Sequence, residues 1–158
     1  MPKIKDIRLQ KKMTQKQMSE KSGLIQPELS RFEKLPNVDN VTLKSLCKLA
    51  KGLDVKIWDI VESENIIDML HENISYDTGI ILDGDKPPLA EILQSFDLQQ
   101  NELSERCEIS VTQLSRWKCD GMDNATLINF LKIGNVLKIN VWSLIWDEDL
   151  QSLFCEVI

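Results

Sequence analysis

The sequence predicts an all-α protein made of two tandem five-helix units joined by an acidic connector, and three observations carry that prediction. First, Met18-Ser-Glu and Leu29-Ser-Arg-Phe32 return 85 residues later as Leu103-Ser-Glu and Leu114-Ser-Arg-Trp117. Leu43, Leu46, Ala50, Leu53, Val55 and Trp58 then return at a spacing of 84 as Leu127, Phe130, Gly134, Leu137, Ile139 and Trp142, so one residue is deleted in a loop. Self-similarity at a fixed spacing is the mark of duplicated structural units. Second, the apolar residues recur at helical spacing between cap and breaker residues. Third, charge divides sharply along the chain. A length of 158 residues with 42% hydrophobic and 28% charged content suits an ordinary globular chain of one or two domains. The expected boundaries are 1–62, a connector 63–87, 88–149 and an apolar tail 150–158.

Unit 1 reads as five short helices. The first runs from Lys3 to Lys12 with Ile4 and Ile7 inward, and the second follows Thr14 as N-cap and reaches Ser22. Gly23 supplies the left-handed residue that ends it. A third helix spans Gln26 to Lys34, with Pro27 in the first turn, where its missing N–H costs nothing. Pro36 and Asn37 mark a loop, Thr42 caps a fourth helix through Lys51, and Val55 to Val61 form a fifth that buries Trp58.

Unit 2 repeats the plan at Pro88–Phe96, Gln100–Cys107, Val111–Cys119 with Ser110 as N-cap, Asn124–Val136 and Ile139–Trp146. Glu108 stands where unit 1 has Gly23. A left-handed conformation there carries roughly 1 kcal/mol of strain, so the turn is expected to differ. Glu62 to His71 reads as a linker helix with His71 on the surface. Residues 78–88, with two glycines and two prolines, read as an irregular connection. The tail 150–158 suits a strand or a docking segment equally.

Residues 1–61 hold 13 Lys and Arg against 7 Asp and Glu, residues 62–87 hold 1 against 7, and residues 88–158 hold 5 against 11. The overall charge of −6 therefore conceals a basic N-terminal third suited to a polyanion. No run of apolar residues is long enough to span a membrane, and Met1-Pro2-Lys3-Ile4-Lys5 lacks a signal's apolar core, so a cytoplasmic protein is expected. Cys47, Cys107, Cys119 and Cys155 form no C-x-x-C pair and stand apart from the single histidine, His71. They read as reduced, mostly packed thiols, with neither a disulfide framework nor a zinc site. Asp147-Glu148-Asp149 reads as a solvated acidic run rather than a metal site. With one histidine and no glycine-rich phosphate loop, the sequence offers no nucleophile–base pair, so no enzyme, metal or cofactor is expected. Trp58, Trp142 and Trp146 read as core or interface.

Counted from Gln15, the fourth, tenth, fifteenth and eighteenth places hold Met18, Leu24, Leu29 and Phe32, with the small Ser19 at the crowded fifth. This pattern sets a second helix across a first and leaves its N-terminal outer face free for a major groove about 12 Å wide. In Thr14-Gln15-x-x-Met18-Ser19-x-x-Ser22-Gly23, Leu29-Ser-Arg-Phe-Glu33 and Leu43-x-x-Leu46-x-x-Leu49-Ala50-x-x-Leu53, the chain resembles the Cro and phage-repressor (XRE) helix-turn-helix family. The resemblance covers unit 1 and reaches unit 2 through Gln100, Leu103, Ser104, Leu114-Ser-Arg-Trp117 and Leu127 onward. It implies lambda-repressor-like domains, a phosphate held by Gln15 and its N-terminal amides, and base contacts from Gln26, Glu28, Ser30 and Arg31, with Pro27 replacing a more usual polar residue. Gln can read adenine, Arg guanine, and Glu can accept from cytosine.

Lys16, Lys21, Lys34, Lys44 and the helix-1 bases Lys3, Lys5, Arg8, Lys11 and Lys12 would add phosphate attraction, with Thr14 beside Gln15 counted in the same DNA-binding set. The loop from Leu35 to Val41 departs from the family in having no base. The plainer readings stand beside these: a solvated face for the helix-1 lysines, pairing of Arg31 with Glu28 or Glu20, and simple capping by Gln15. Unit 2 offers Gln100, Thr112, Gln113, Arg116 and Lys118 as a second DNA site, yet residues 88–99 contain no base, which favours dimerisation or a protein partner. The expected function is a transcriptional regulator, a homodimeric repressor on double-stranded DNA. The alternatives are an antitoxin-like or adaptor protein whose acidic second domain grips a partner, or an acidic competitor of DNA.

Overall fold

The computed structural model describes residues 3–77 and 82–158, and among these the chain is helical throughout, without a strand. Unit 1 comprises α1 (Lys3–Gln10), α2 (Gln15–Ser22), α3 (Gln26–Lys34), α4 (Leu43–Leu53) and α5 (Ile57–Ile60). Helix α1 stops two residues before its expected end because Lys12 turns to φ 55 and Met13 N–H bonds back to the Arg8 carbonyl at 3.1 Å. Thr14 and Gln17 form a reciprocal capping box that starts α2, and Gly23 ends it at φ 77. Met18, Leu24, Leu29 and Phe32 are all buried, with Leu43, Leu46, Leu49 and Leu53 beneath them. Helix α5 is a single turn, shorter than expected.

Helix α6 (Glu64–Ile74) follows. Unit 2 comprises α7 (Pro88–Ser95), α8 (Gln100–Cys107), α9 (Val111–Asp120), α10 (Leu127–Leu137) and a 3-10 helix, Val141–Leu144, where an α-helix was expected. The fourth helix starts three residues later than expected, at the residue after Thr126. The α1–α2 turn recurs, with Asp97 at φ 50 in the place of Lys12 and Leu98 N–H bonded to the Leu93 carbonyl at 3.0 Å. Glu108 corrects the expectation of an altered turn: at φ 59, ψ 39 it adopts the left-handed cap that Gly23 provides in unit 1. Ser104 donates to the Ile109 carbonyl just as Ser19 donates to that of Leu24, so the same side-chain brace holds both turns.

The tail resolves as helix α11 (Glu148–Val157), and α11 extends the internal repeat. At the same spacing of 84, Glu64, Ile66, Leu70, Glu72 and Ile74 correspond to Glu148, Leu150, Phe154, Glu156 and Ile158. The entry into each helix is built alike. Asp39 accepts from the amides of Glu62 (3.1 Å) and Ser63 (3.2 Å), while Asp123 accepts from those of Trp146 (2.9 Å) and Asp147 (2.8 Å).

The two helices are exchanged between the units: α6 packs on α10 of unit 2, and α11 packs on α4 of unit 1. The α6 contact centres on Asn73, which is fully buried. Its Nδ2 donates to Asn135 Oδ1 and to the Ile139 carbonyl, both at 2.9 Å, and its Oδ1 accepts from Val141 N–H at 2.7 Å. A Cβ at Gly134 would stand 2.7 Å from that nitrogen, which explains glycine where unit 1 has Ala50. In the α11 contact the corresponding residue is the buried Val157, which lines a depression with Ala50 and Val55. Lys56 Nζ donates to the Glu156 carbonyl at 3.0 Å, and an exposed Lys51–Glu156 ion pair at 3.4 Å adds little.

Between the units, Thr42 and Thr126 form an isolated antiparallel bridge, with Leu43 N–H donating to the Ala125 carbonyl at 2.9 Å. These two threonines are equivalent in the repeat. A contact between equivalent residues, together with a reciprocal helix exchange, is the signature of twofold rather than translational pairing.

Trp58 is half-buried and packs against the core, its ring stacked on the exposed His71 at 5.7 Å. Two side-chain expectations need correction. Trp146 is exposed, donates from Nε1 to the Gly84 carbonyl at 3.1 Å, and lies against Gly121. Only two thiols are packed, Cys47 and Cys107, and burial pushes the Cys47 thiol up to about 12; Cys119 and Cys155 are exposed, and all four are free. Residues 78–81 of the expected irregular connection lie outside the described residues. No described helix is long and apolar enough to cross a membrane. No described cluster of three or more His, Cys, Asp or Glu side chains could hold a metal ion.

Candidate nucleic-acid interface

Helix α3 presents its first turn and one side to solvent. Gln26, Pro27, Arg31 and Lys34 are exposed, Glu28 and Ser30 half-buried, while Leu29, Phe32 and Glu33 face inward. The Arg31 guanidinium rests over the Phe32 ring at 4.6 Å, which steers it along the helix surface while leaving its donors free. It makes no ion pair with Glu20 or Glu28 among the described salt bridges.

The start of α2 is tied to α3 by a buried polar cluster. Arg8 donates through its guanidinium to both carboxylate oxygens of Glu33 and, at 2.9 Å, to the Met13 carbonyl. Gln15 Nε2 donates to Glu33 Oε2 at 2.7 Å. Arg8 thereby leaves the group of phosphate-facing bases in which the sequence placed it, because its charge is spent within the domain at 8% exposure. Gln15 is half-buried, with one amide hydrogen engaged by Glu33 and the backbone amides of the α2 first turn alongside. Thr14 and Lys16 flank it and are exposed.

Lys11 and Lys12 are exposed in the turn between α1 and α2. Lys11 Nζ donates to the Asp54 carbonyl at 3.2 Å, just past the C-terminus of α4, and both lysines share a shallow depression with Lys21. Arg31 shares its depression with Thr42 at the N-terminus of α4, about 16 Å away along an 11-residue helix. Lys44, in the first turn of α4, is exposed at the Thr42 end.

In unit 2 the corresponding residues lie on α9, with Gln100 at the start of α8. Thr112 and Arg116 are exposed, Gln113 and Lys118 half-buried, and Gln100 Nε2 donates to the Val111 carbonyl at 2.8 Å. Val111 is itself exposed at the tip of α9, as Ile25 is before α3. The sequence reading passed over both apolar side chains, although each directly adjoins or opens a helix singled out for base contact.

Residues 4–57 match the family model described as helix-turn-helix. The match spans α1 to the start of α5, about a third of the chain, and likens this segment to DNA-binding helix-turn-helix regulators. Neither the curated proteins nor the solved structures contain a match to the chain. Beyond the matched segment, the likeness of unit 2 to the helix-turn-helix domain rests on the internal repeat.

Proposed function

We propose that this protein is a sequence-specific transcriptional repressor that places α3 in the major groove of double-stranded DNA. The observation that carries the reading is the solvent-facing side of α3, where Gln26, Arg31 and Lys34 stand free over a rigid apolar frame of Met18, Leu24, Leu29 and Phe32. Arg31 reads a guanine through O6 and N7, and Gln26 and Glu28 address neighbouring bases. Thr14, Gln15 and the α2 amides hold one phosphate, with Lys16, Lys34 and Lys44 supplying charge around it. Repression follows from occupancy: a protein bound across a promoter excludes the polymerase.

Competition binding against a selected site tests this. Arg31→Ala is expected to lose about 1 to 3 kcal/mol of specific binding and to relax preference at one base pair. Unchanged selectivity would remove α3 from the groove.

A further inference from the structure

We infer that a single chain spans two inverted DNA half-sites by itself, α3 reading one and α9 the other. This rests on the DNA-binding reading above and deepens it by specifying the kind of DNA element.

The geometry is that of a dimer folded into one chain. Thr42 meets its equivalent Thr126, and α6 and α11 cross reciprocally to the opposite unit, so a twofold axis passes beside the threonine bridge. Both reading helices border that axis. Arg31 and Thr42 line one surface depression, and Arg116 and Thr126 line its counterpart. A duplex has local twofold symmetry of its own, so two readers related by such an axis meet inverted half-sites with centres about one helical turn, ~34 Å, apart. The Thr42 face that a second copy's first unit would need is already covered by Ala125 and Thr126 of the same chain.

The side chains then dictate an imperfect repeat. Ser30-Arg31 and Ser115-Arg116 are identical, so both half-sites share the base pair read by arginine. The first three residues of the two helices differ, Gln26-Pro27-Glu28 against Val111-Thr112-Gln113. Glu28 accepts from cytosine where Gln113 suits adenine, and Val111 offers a methyl surface to thymine. Electrostatics grades the two halves: α7 carries no base, and Glu105 and Glu108 are exposed on and just after α8. Unit 1 therefore anchors, and the weaker second reader gains from the high effective concentration of being joined to it.

The test is selection of bound sequences from random duplex DNA by the full chain, repeated with Arg31→Ala and Arg116→Ala. Both arginines are exposed, and thermal unfolding of the variants should match that of the parent chain. The expected winners carry an inverted, unequal pair of half-sites with centres about 10 base pairs apart. Each variant should bind them about 5- to 150-fold more weakly and relax preference in one half-site only, a different one for each. Winners with a single half-site, or an Arg116→Ala variant indistinguishable from the parent, would overturn the inference while leaving unit 1 a DNA reader. A chain that selects no sequence would overturn both.

Discussion

The two units run through the same order of helical elements but are held by different chemistry. In unit 1, α1 is fastened to α3 by the buried Arg8–Glu33 pair, with Met13 and Gln15 completing the cluster. At the equivalent places unit 2 has Leu93, fully inside the core, and Lys118, half-buried. A leucine contributes apolar burial without desolvating a charge, whereas the ion pair must recover its desolvation through good hydrogen bonding. The difference therefore lies in positioning more than in stability. Glu33 orients Gln15 at the start of α2, where the proposed phosphate contact lies, whereas in unit 2, with Leu93 in the core, Gln100 bonds the α9 backbone instead.

This contrast can be broken most severely at Glu33. Glu33→Ala strands the buried Arg8 guanidinium and is expected to cost about 3 to 5 kcal/mol in urea unfolding followed by circular dichroism. Arg8→Leu, which carries the leucine of unit 2 into unit 1, combined with Glu33→Met to give it an apolar partner, should recover most of that stability while weakening DNA binding through a loosened Gln15. Lys118→Ala should change stability by less than about 0.5 kcal/mol. A Glu33→Ala protein as stable as its parent would show that the pair is ornamental.

The exchanged helices form a second contrast, with a smaller expected effect. Asn73→Ala leaves the Val141 N–H and the Ile139 carbonyl without their buried partner and should cost about 2 to 3 kcal/mol. Val157→Ala, at the equivalent place on α11, removes two carbons and should cost about 1.5 kcal/mol. Gly134→Ala drives a methyl into Asn73 and should cost about 1 to 3 kcal/mol alone, and less once Asn73 is already alanine, when the 3.0 Å approach to the Ile139 carbonyl is what remains. Additive losses in that pair would show that Gly134 is not there to admit the asparagine.

The smallest effect compares two lysines of unit 1. Lys16, beside the α2 amides, should flatten the slope of log affinity against log salt by about 1 when changed to glutamine. Lys11→Gln should leave the slope alone, because its ammonium is held at the Asp54 carbonyl, away from α3. Equal slopes for both variants would place the C-terminal end of α4 against DNA as well.

Much of this was readable in the sequence because the relevant signals are local. The helix-turn-helix spacing from Gln15 to Phe32, the Thr14 and Ser110 caps and the glycine at 23 each act within a few residues. Glu108 was misread because strain of about 1 kcal/mol is small beside a turn braced by Ser104 and buried Ile109. Arg8 was misread because nothing in a basic, amphipathic helix tells which cation turns inward; its partner lies 25 residues away. The continuation of the repeat into α6 and α11 was present as Glu64 and Glu148, Ile66 and Leu150, Leu70 and Phe154. The acidic run around each obscured it, and the apolar stripe of the tail could not disclose that it packs on α4 rather than on its own unit. The exchange also means that a fragment ending at residue 62 would strip α4 of the α11 cover it has in the full chain.

The central claim, that one chain supplies both readers, is tested most directly by the mass of the complex. Native mass spectrometry of the full chain with a selected two-half-site duplex should give one chain per duplex, and scrambling either half-site should weaken binding without altering that ratio. Two chains on the intact duplex, falling to one when a half-site is scrambled, would contradict the account and show that pairing between copies does the work assigned here to unit 2.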